Sequence, residues 1–303
     1  MSENFREKII QNYKELEARP CVDTEGTNTF GDSSRLTYLK EALRKKDSLY
    51  HEIEGKKKYR LYAQDDLEAI ASTYDQVILV SSHADNLQSS SSFCLEEERG
   101  IVHGCGDNAS TLGVLLTIMQ TVPLKKNVLF VATADEEDEG KGAKKAAKKL
   151  RKYFPNPGAI KVIVLDVTFG YHNGADFTLE NDFVLTAGNG EDNISNVIHA
   201  LRDGDFVWDY IAAADDEEDN GEFVTVPEMR SMMGNHCNGM AETAGDDDES
   251  YGYYKKGCTA FSFCLPCSAK TCDAMHSEEG FDITLKQLER YATALATILE
   301  NAA

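Results

Sequence analysis

The 303-residue sequence has no apolar run near the ~20 residues that a membrane helix needs. Its opening segment, MSENFREKIIQNYKELEARP, carries no apolar h-region. No secretory signal is therefore expected, and the expected compartment is cytoplasmic. Tryptophan occurs once and proline six times, with no Pro- or Gly-rich linker and no internal repeat. This excludes collagen-like and low-complexity character. Basic residues are outnumbered, 31 against 52 acidic, for a net charge of -21. A nucleic-acid binder would show the opposite balance, and an acidic surface disfavours anionic membranes. Several catalytic signatures are missing too. His51-Glu52 lacks the second histidine of a His-Glu-x-x-His helix. Gly104-x-Gly106 and Gly140-x-Gly142 lack the third glycine of a dinucleotide fingerprint, and no Walker loop or Gly-x-Ser-x-Gly elbow occurs.

The chain does hold ample apolar material, 42% of its residues, with 27% charged. That suffices for a full core. Three continuous apolar, β-branched runs read as buried strands: 76–81 (QVILVS), 127–132 (NVLFVA) and 160–165 (IKVIVL). Further strands are expected at 59–63, 183–186 and 258–264. Helices are expected at 3–18, 37–46, 108–120, 141–152, 193–202 and 282–301. Strands of this kind alternating with helices predict an α/β fold with a mixed, largely parallel central sheet flanked by helices. We expect one domain over 1–303, with an acidic, loop-rich elaboration at about 204–256. Seven Lys or Arg between Lys141 and Lys152 read as the wet face of a helix. The acidic clusters Asp215 to Glu218 and Asp246 to Glu249 read as solvated.

In a parallel sheet, ligands sit beyond the carboxyl ends of the strands. The polar residues there form a consistent series: His83-Ala84-Asp85, then Gly106-Asp107-Asn108, Asp135-Glu136-Glu137, Asp166 and finally His276. Each strand delivers an imidazole or carboxylate to one edge. These types match a two-metal site, in which one carboxylate can bridge the ions and another can remain free as a general base. Taken singly, His83 or Asp166 would be ordinary loop chemistry; the ordered set is what carries the inference.

The series resembles the co-catalytic di-zinc exopeptidases, which include bacterial leucyl aminopeptidases, tetrahedral aminopeptidases and deacylase-type carboxypeptidases. GCGDNASTLGVLL resembles the segment around their bridging Asp, and VATADEEDEGKGA their Glu-Glu turn. VIVLDVTFG resembles the strand of the third acidic ligand, and AMHSEEGFDI the closing His segment. The resemblance implies a zinc-exopeptidase (phosphorylase/hydrolase-like) fold. It also implies two Zn2+, with Co2+ or Mn2+ suited to the same ligands. One metal would be held by His83, Asp107 and Asp166, and the other by Asp107, Glu137 and His276. Asp85 would orient His83, Glu136 would be the general base, and the Asp107–Asn108 peptide would be cis. The implied activity is release of N-terminal residues from peptides through a zinc-activated water. The implied substrate is a peptide or small amide; a carboxypeptidase, an N-deacylase or a non-catalytic binding protein are the alternatives. Only 24 positions separate His83 from Asp107, which excludes the extra domain that tetrahedral aminopeptidases carry there. The oligomeric state is left open.

Eight cysteines are present. The run Cys264-x-x-Cys267-x4-Cys272-x3-His276 admits a structural zinc, a disulfide or plain packing. Packing is the preferred reading, because His276 belongs to the catalytic series and free Cys is commonly buried.

Overall fold

A computed structural model of the chain describes residues 3–19, 21, 33–44, 49–86, 90–134, 140–156, 158–169, 175–183, 197, 201, 204–213, 237–243 and 249–301. The apolar runs form β3 (Val77–His83), β6 (Val128–Thr133) and β7 (Ile160–Thr168). With β11 (Thr259–Pro266) they are paired in parallel, in the order β6-β3-β7-β11. Their side chains alternate between two cores. Ile78, Val80, Phe130, Ile163 and Phe263 face one cluster, and Val77, Leu79, Val131, Val162 and Val164 face the other. Burial on both faces is why these strands are apolar throughout.

The first core is covered by α1 (Glu3–Glu17), α2 (Ser34–Leu43), α4 (Ala109–Thr121) and α8 (Leu285–Asn301). The second is covered by α3 (Leu67–Thr73), α5 (Lys141–Leu150) and α6 (Glu249–Tyr254). In α5 the buried residues are Gly142, Ala143, Ala146, Ala147 and Leu150, so its lysines line the outer side as expected. α2 begins earlier than expected because the Ser33 hydroxyl caps it, accepting a hydrogen bond from the Leu36 N–H at 3.2 Å.

Among the described residues the main sheet has nine strands. β1 (His51–Gly55) and β2 (Tyr59–Ala63) add antiparallel beside β6. On the far side β8 (Phe177–Phe183) pairs antiparallel with β11, and β9 (Trp208–Ala213) and β10 (Cys237–Thr243) extend it in parallel. Of the strand expected at 183–186 only residue 183 is described, and it closes β8; the rest lies outside the described residues. Two strands also occur in the stretch read as loop-rich. Glu249, expected in a solvated acidic run, is buried in α6. The helix expected at 193–202 falls almost wholly outside the described residues.

A second, three-stranded antiparallel sheet consists of β4 (Cys94–Glu96), β5 (Ile101–Gly104) and β12 (Phe281–Thr284). β5 leads directly into Asp107, and β12 follows His276. Their register sets Phe281 opposite Gly104, which draws these two segments together. Among the described residues no helix is long and apolar enough to cross a membrane.

Candidate metal centre

His83 is the last residue of β3, level with Thr133 of β6, and Asp166 lies one position beyond the residue of β7 that pairs with Ser82. Asp107 and Asn108 immediately precede α4 and are joined by a cis peptide bond. The Asn108 amide donates to the Leu165 carbonyl at 2.6 Å, and the Asn108 side-chain oxygen accepts from the Thr111 hydroxyl. This ties the turn to the strand that carries Asp166. His276 follows the short helix α7 (Cys272–Met275).

Four of the sequence-predicted ligands meet here. His83 Nε2 is 3.1 Å from Asp107 Oδ1 and 3.5 Å from Asp166 Oδ1. His276 Nε2 is 3.0 Å from Asp107 Oδ2. Ligand atoms of His83, Asp107 and Asp166 all lie within 4.8 Å of one another. Glu136 and Glu137 lie outside the described residues, as do the other members of their acidic cluster, 135–139.

His83 and Asp107 are 1% and 3% exposed. The Oδ1 of Asp107 is buried and has no hydrogen-bond partner. A zinc ligand sits ~2.0–2.1 Å from its ion, which sets two tetrahedral ligand atoms roughly 3.3 Å apart. The separations of 3.1 and 3.5 Å bracket that spacing. The donor set, imidazole and carboxylate, fits zinc and related divalent ions. Among the described residues this is the one group of His, Cys, Asp and Glu with such geometry.

The electrostatics agree. Burial disfavours the His83 cation, yet the Asp166, Asp107 and Asp85 carboxylates outweigh burial and raise its pKa well above the ordinary value. Burial also opposes ionisation of Asp107, but His276 and His83 hold it below the usual carboxylate range. Burial raises Asp166, with His83 opposing and Asp107 adding to the rise. Three carboxylates around one imidazole leave an excess of negative charge that a cation neutralises.

Asp85 lies just past the end of β3 and is buried. The His83 Nδ1 is 3.2 Å from the Asp85 main-chain carbonyl and 3.6 Å from its carboxylate. The carbonyl is the nearer partner, and it fixes the ring so that Nε2 faces the ligands. Beneath the site, the Ser81 hydroxyl lies 3.3 Å from the Glu249 carboxylate and 2.8 Å from the Tyr253 hydroxyl. The sequence does not show this buried trio, because Glu249 reads as part of a solvated acidic run and nothing in the sequence links it to Ser81 and Tyr253.

Cys264 and Cys267 are buried, as the packing reading expects. Burial pushes the Cys267 thiol up to about 12. The side chain of Cys272 lies outside the described ones.

An imidazole–carboxylate cluster able to hold a metal ion thus stands at the carboxyl edge of a largely parallel sheet. The sequence profile of peptidase family M20/M25/M40 matches residues 79–301. The chain belongs to that family, which makes it a metallohydrolase. No curated protein matches the sequence. Among solved structures, the fold is similar to PhTET1-12s, described as a dodecamer, at TM-score 0.64 and 10% identity over 99% of both chains. It is similar to the aminopeptidase APDkam598 from the archaeon Desulfurococcus kamchatkensis at TM-score 0.60 and 11% identity, over 98% of this chain and 95% of that one. A tripeptidase from Staphylococcus aureus matches at TM-score 0.55 and 11% identity, over 97% and 98%.

Proposed function

We propose that this protein is a cytoplasmic aminopeptidase that releases N-terminal residues from peptides at a two-ion centre. The observation that carries the reading is the meeting of His83, with Asp166 beside it, on one oxygen of Asp107 and of His276 on the other. Membership in a peptidase family supports amide hydrolysis.

Asp107, His83 and Asp166 would hold one ion, and Asp107, His276 and Glu137 the other. Asp85 holds the His83 ring. Bound zinc, or cobalt or manganese, supplies Lewis acidity toward the scissile carbonyl and acidifies water. Glu136, next in sequence to the ligand Glu137, takes the proton of the attacking water and passes it to the leaving amine. The acidic surplus of the chain suits a substrate that enters by its free, cationic amino terminus. The continuous nine-stranded sheet supports one domain, with β9 and β10 within the acidic elaboration.

The test is hydrolysis of a pool of short peptides, each with a free and an acetylated N-terminus, by zinc-reconstituted protein with a chelator control. Chelator-sensitive loss of single N-terminal residues from the free peptides alone is the expected result. Cleavage of the blocked set would move the assignment to a carboxypeptidase or deacylase, and no cleavage of either would overturn peptidase activity.

A further inference from the structure

Helix α1 ends in a buried carboxylate. Glu17 is 2% exposed, although it closes a helix rich in surface charge. Its Oε1 accepts hydrogen bonds from the main-chain N–H of Cys105 at 3.0 Å, the N–H of Ser92 at 3.0 Å and the Ser91 hydroxyl at 3.1 Å. Cys105 lies two residues before Asp107. Glu17 Oε2 and the Tyr13 hydroxyl also crowd Gly104, where an added Cβ would meet both. An added Cβ at Gly106 would lie 2.6 Å from the same hydroxyl. The segment 104–106 is therefore threaded under one turn of α1, with room only for glycine at its two tight points.

Arg35 acts from the adjoining helix α2. It is 1% exposed. Its Nε donates to the carbonyls of Leu16 at 3.1 Å and Arg19 at 3.0 Å, and its Nη1 to the Ala84 carbonyl at 2.9 Å. Ala84 sits between His83 and Asp85. Burial lowers the Arg35 pKa, and Cys21, Asp85, Glu17 and Asp107 nearby oppose that.

Burying a charge is costly unless it is paired and hydrogen-bonded. An apolar residue would close α1 against α4 without that cost. Each instead bonds the main chain of a segment that carries proposed ligands: Glu17 accepts from the Cys105 N–H, and Arg35 donates to the Ala84 carbonyl. We propose that Glu17 and Arg35 are positioning residues. Through them the α1–α2 pair braces the Gly104–Asp107 and His83–Asp85 segments at ion-binding distance. This inference rests on the metal-site reading above. It assigns a role in the site to a part of the chain that precedes the family match at residue 79.

The test compares wild type with Glu17→Gln, Glu17→Ala, Arg35→Lys and Asn12→Ala. Asn12 is the control: its amide bonds Thr117 Oγ1 at 2.8 Å, holding α1 on α4 away from the ligand segments. Two quantities are read: amide hydrogen exchange of the metal-free protein, and Co2+ affinity from its visible absorption. Glu17→Ala should speed exchange over 103–108 and weaken Co2+ binding by about 10–100-fold, the usual effect of losing a ligand's supporting partner. Glu17→Gln keeps a carbonyl acceptor and should fall between. Arg35→Lys, which cannot fork to three carbonyls, should loosen 83–86 instead. Asn12→Ala should lower the melting temperature and move neither quantity.

Wild-type exchange and affinity in Glu17→Ala would overturn the proposal, as would equal losses in Asn12→Ala. If Glu17→Ala does not fold, Glu17→Gln decides on the same quantities, with unchanged exchange and affinity counting against the brace. Wild-type protein that takes up no Co2+ would overturn the metal reading, and exchange in the metal-free protein would still decide the brace.

Discussion

His83 Nε2 stands 3.1 Å from Asp107 Oδ1, and that oxygen, though buried, has no hydrogen-bond partner. Two groups this close and unbonded suit two ligands of one ion better than an ion pair. His276 holds the other oxygen of the same carboxylate at 3.0 Å. Asp107 is thus the hinge of the site, and Asp107→Asn is the most informative single change. It removes the shared charge and keeps the shape. Bound metal, measured by elemental analysis, should fall below one ion per chain, and peptide hydrolysis should fall by at least about 100-fold, more than loss of a supporting residue causes. Full metal content in this variant would count against the shared ligand.

Asp85→Ala should have a smaller effect. The main-chain carbonyl of residue 85, 3.2 Å from His83 Nδ1, survives the substitution. Metal affinity should fall by about 10-fold, the lower end of the range for supporting groups. A competition titration against a chelator checks it, and a loss as large as that of Asp107→Asn would make Asp85 a ligand.

These predictions rest on residues whose positions the sequence made legible, for a physical reason. Strands buried on both faces are largely apolar, so β3, β6 and β7 stand out, and the imidazole or carboxylate that follows the run falls at the carboxyl edge in β3 and β7. His83 and Asp166 were found that way. His276 was found by the ordered series, although its approach to Asp107 depends on β5 and β12, each only four residues long and too short to show a period. β9 and β10 were hidden because the acidic stretch around them is weakly periodic. Glu249 reads as solvated in its acidic run, and nothing in the sequence marks Glu17, because a carboxylate at a helix end is usually exposed; packing shows that both are buried.

Gly142 and Gly252 should respond oppositely to alanine. A Cβ on Gly142 would lie 2.5 Å from the Ala134 carbonyl and 2.6 Å from that of Lys58, both main chain. Gly142→Ala should therefore destabilise by about 1–3 kcal/mol in urea unfolding, as overpacking does. A Cβ on Gly252 would meet only ordinary contacts of 3.5 Å and beyond. Gly252→Ala should be neutral or stabilise by up to about 1 kcal/mol. Equal effects would contradict the packing of α5 on the end of β6.

His103 gives a pH dependence remote from the metal ligands. Its Nδ1 lies 2.7 Å from Asp282 Oδ1, and its Nε2 lies 2.8 Å from the Glu279 carbonyl. The Asp282 carboxylate raises its pKa, burial opposes, and the Glu279 carbonyl assists. A folded pKa above the unfolded value of about 6.5 means the stabilisation is full below that pH. It is lost as pH rises through the raised folded value. Both side chains are a third or more exposed, so the gain should stay below about 1 kcal/mol. The stability gap between wild type and His103→Gln should be wider at pH 5.5 than at pH 9. A gap that widens with pH would contradict the assignment.

The most direct test of the metal centre is an anomalous difference map, recorded at the zinc edge from crystals of the zinc-loaded protein. The account predicts one peak bounded by His83, Asp107 and Asp166, and a second between Asp107 and His276. A map with no peak among His83, Asp107 and Asp166 would contradict it.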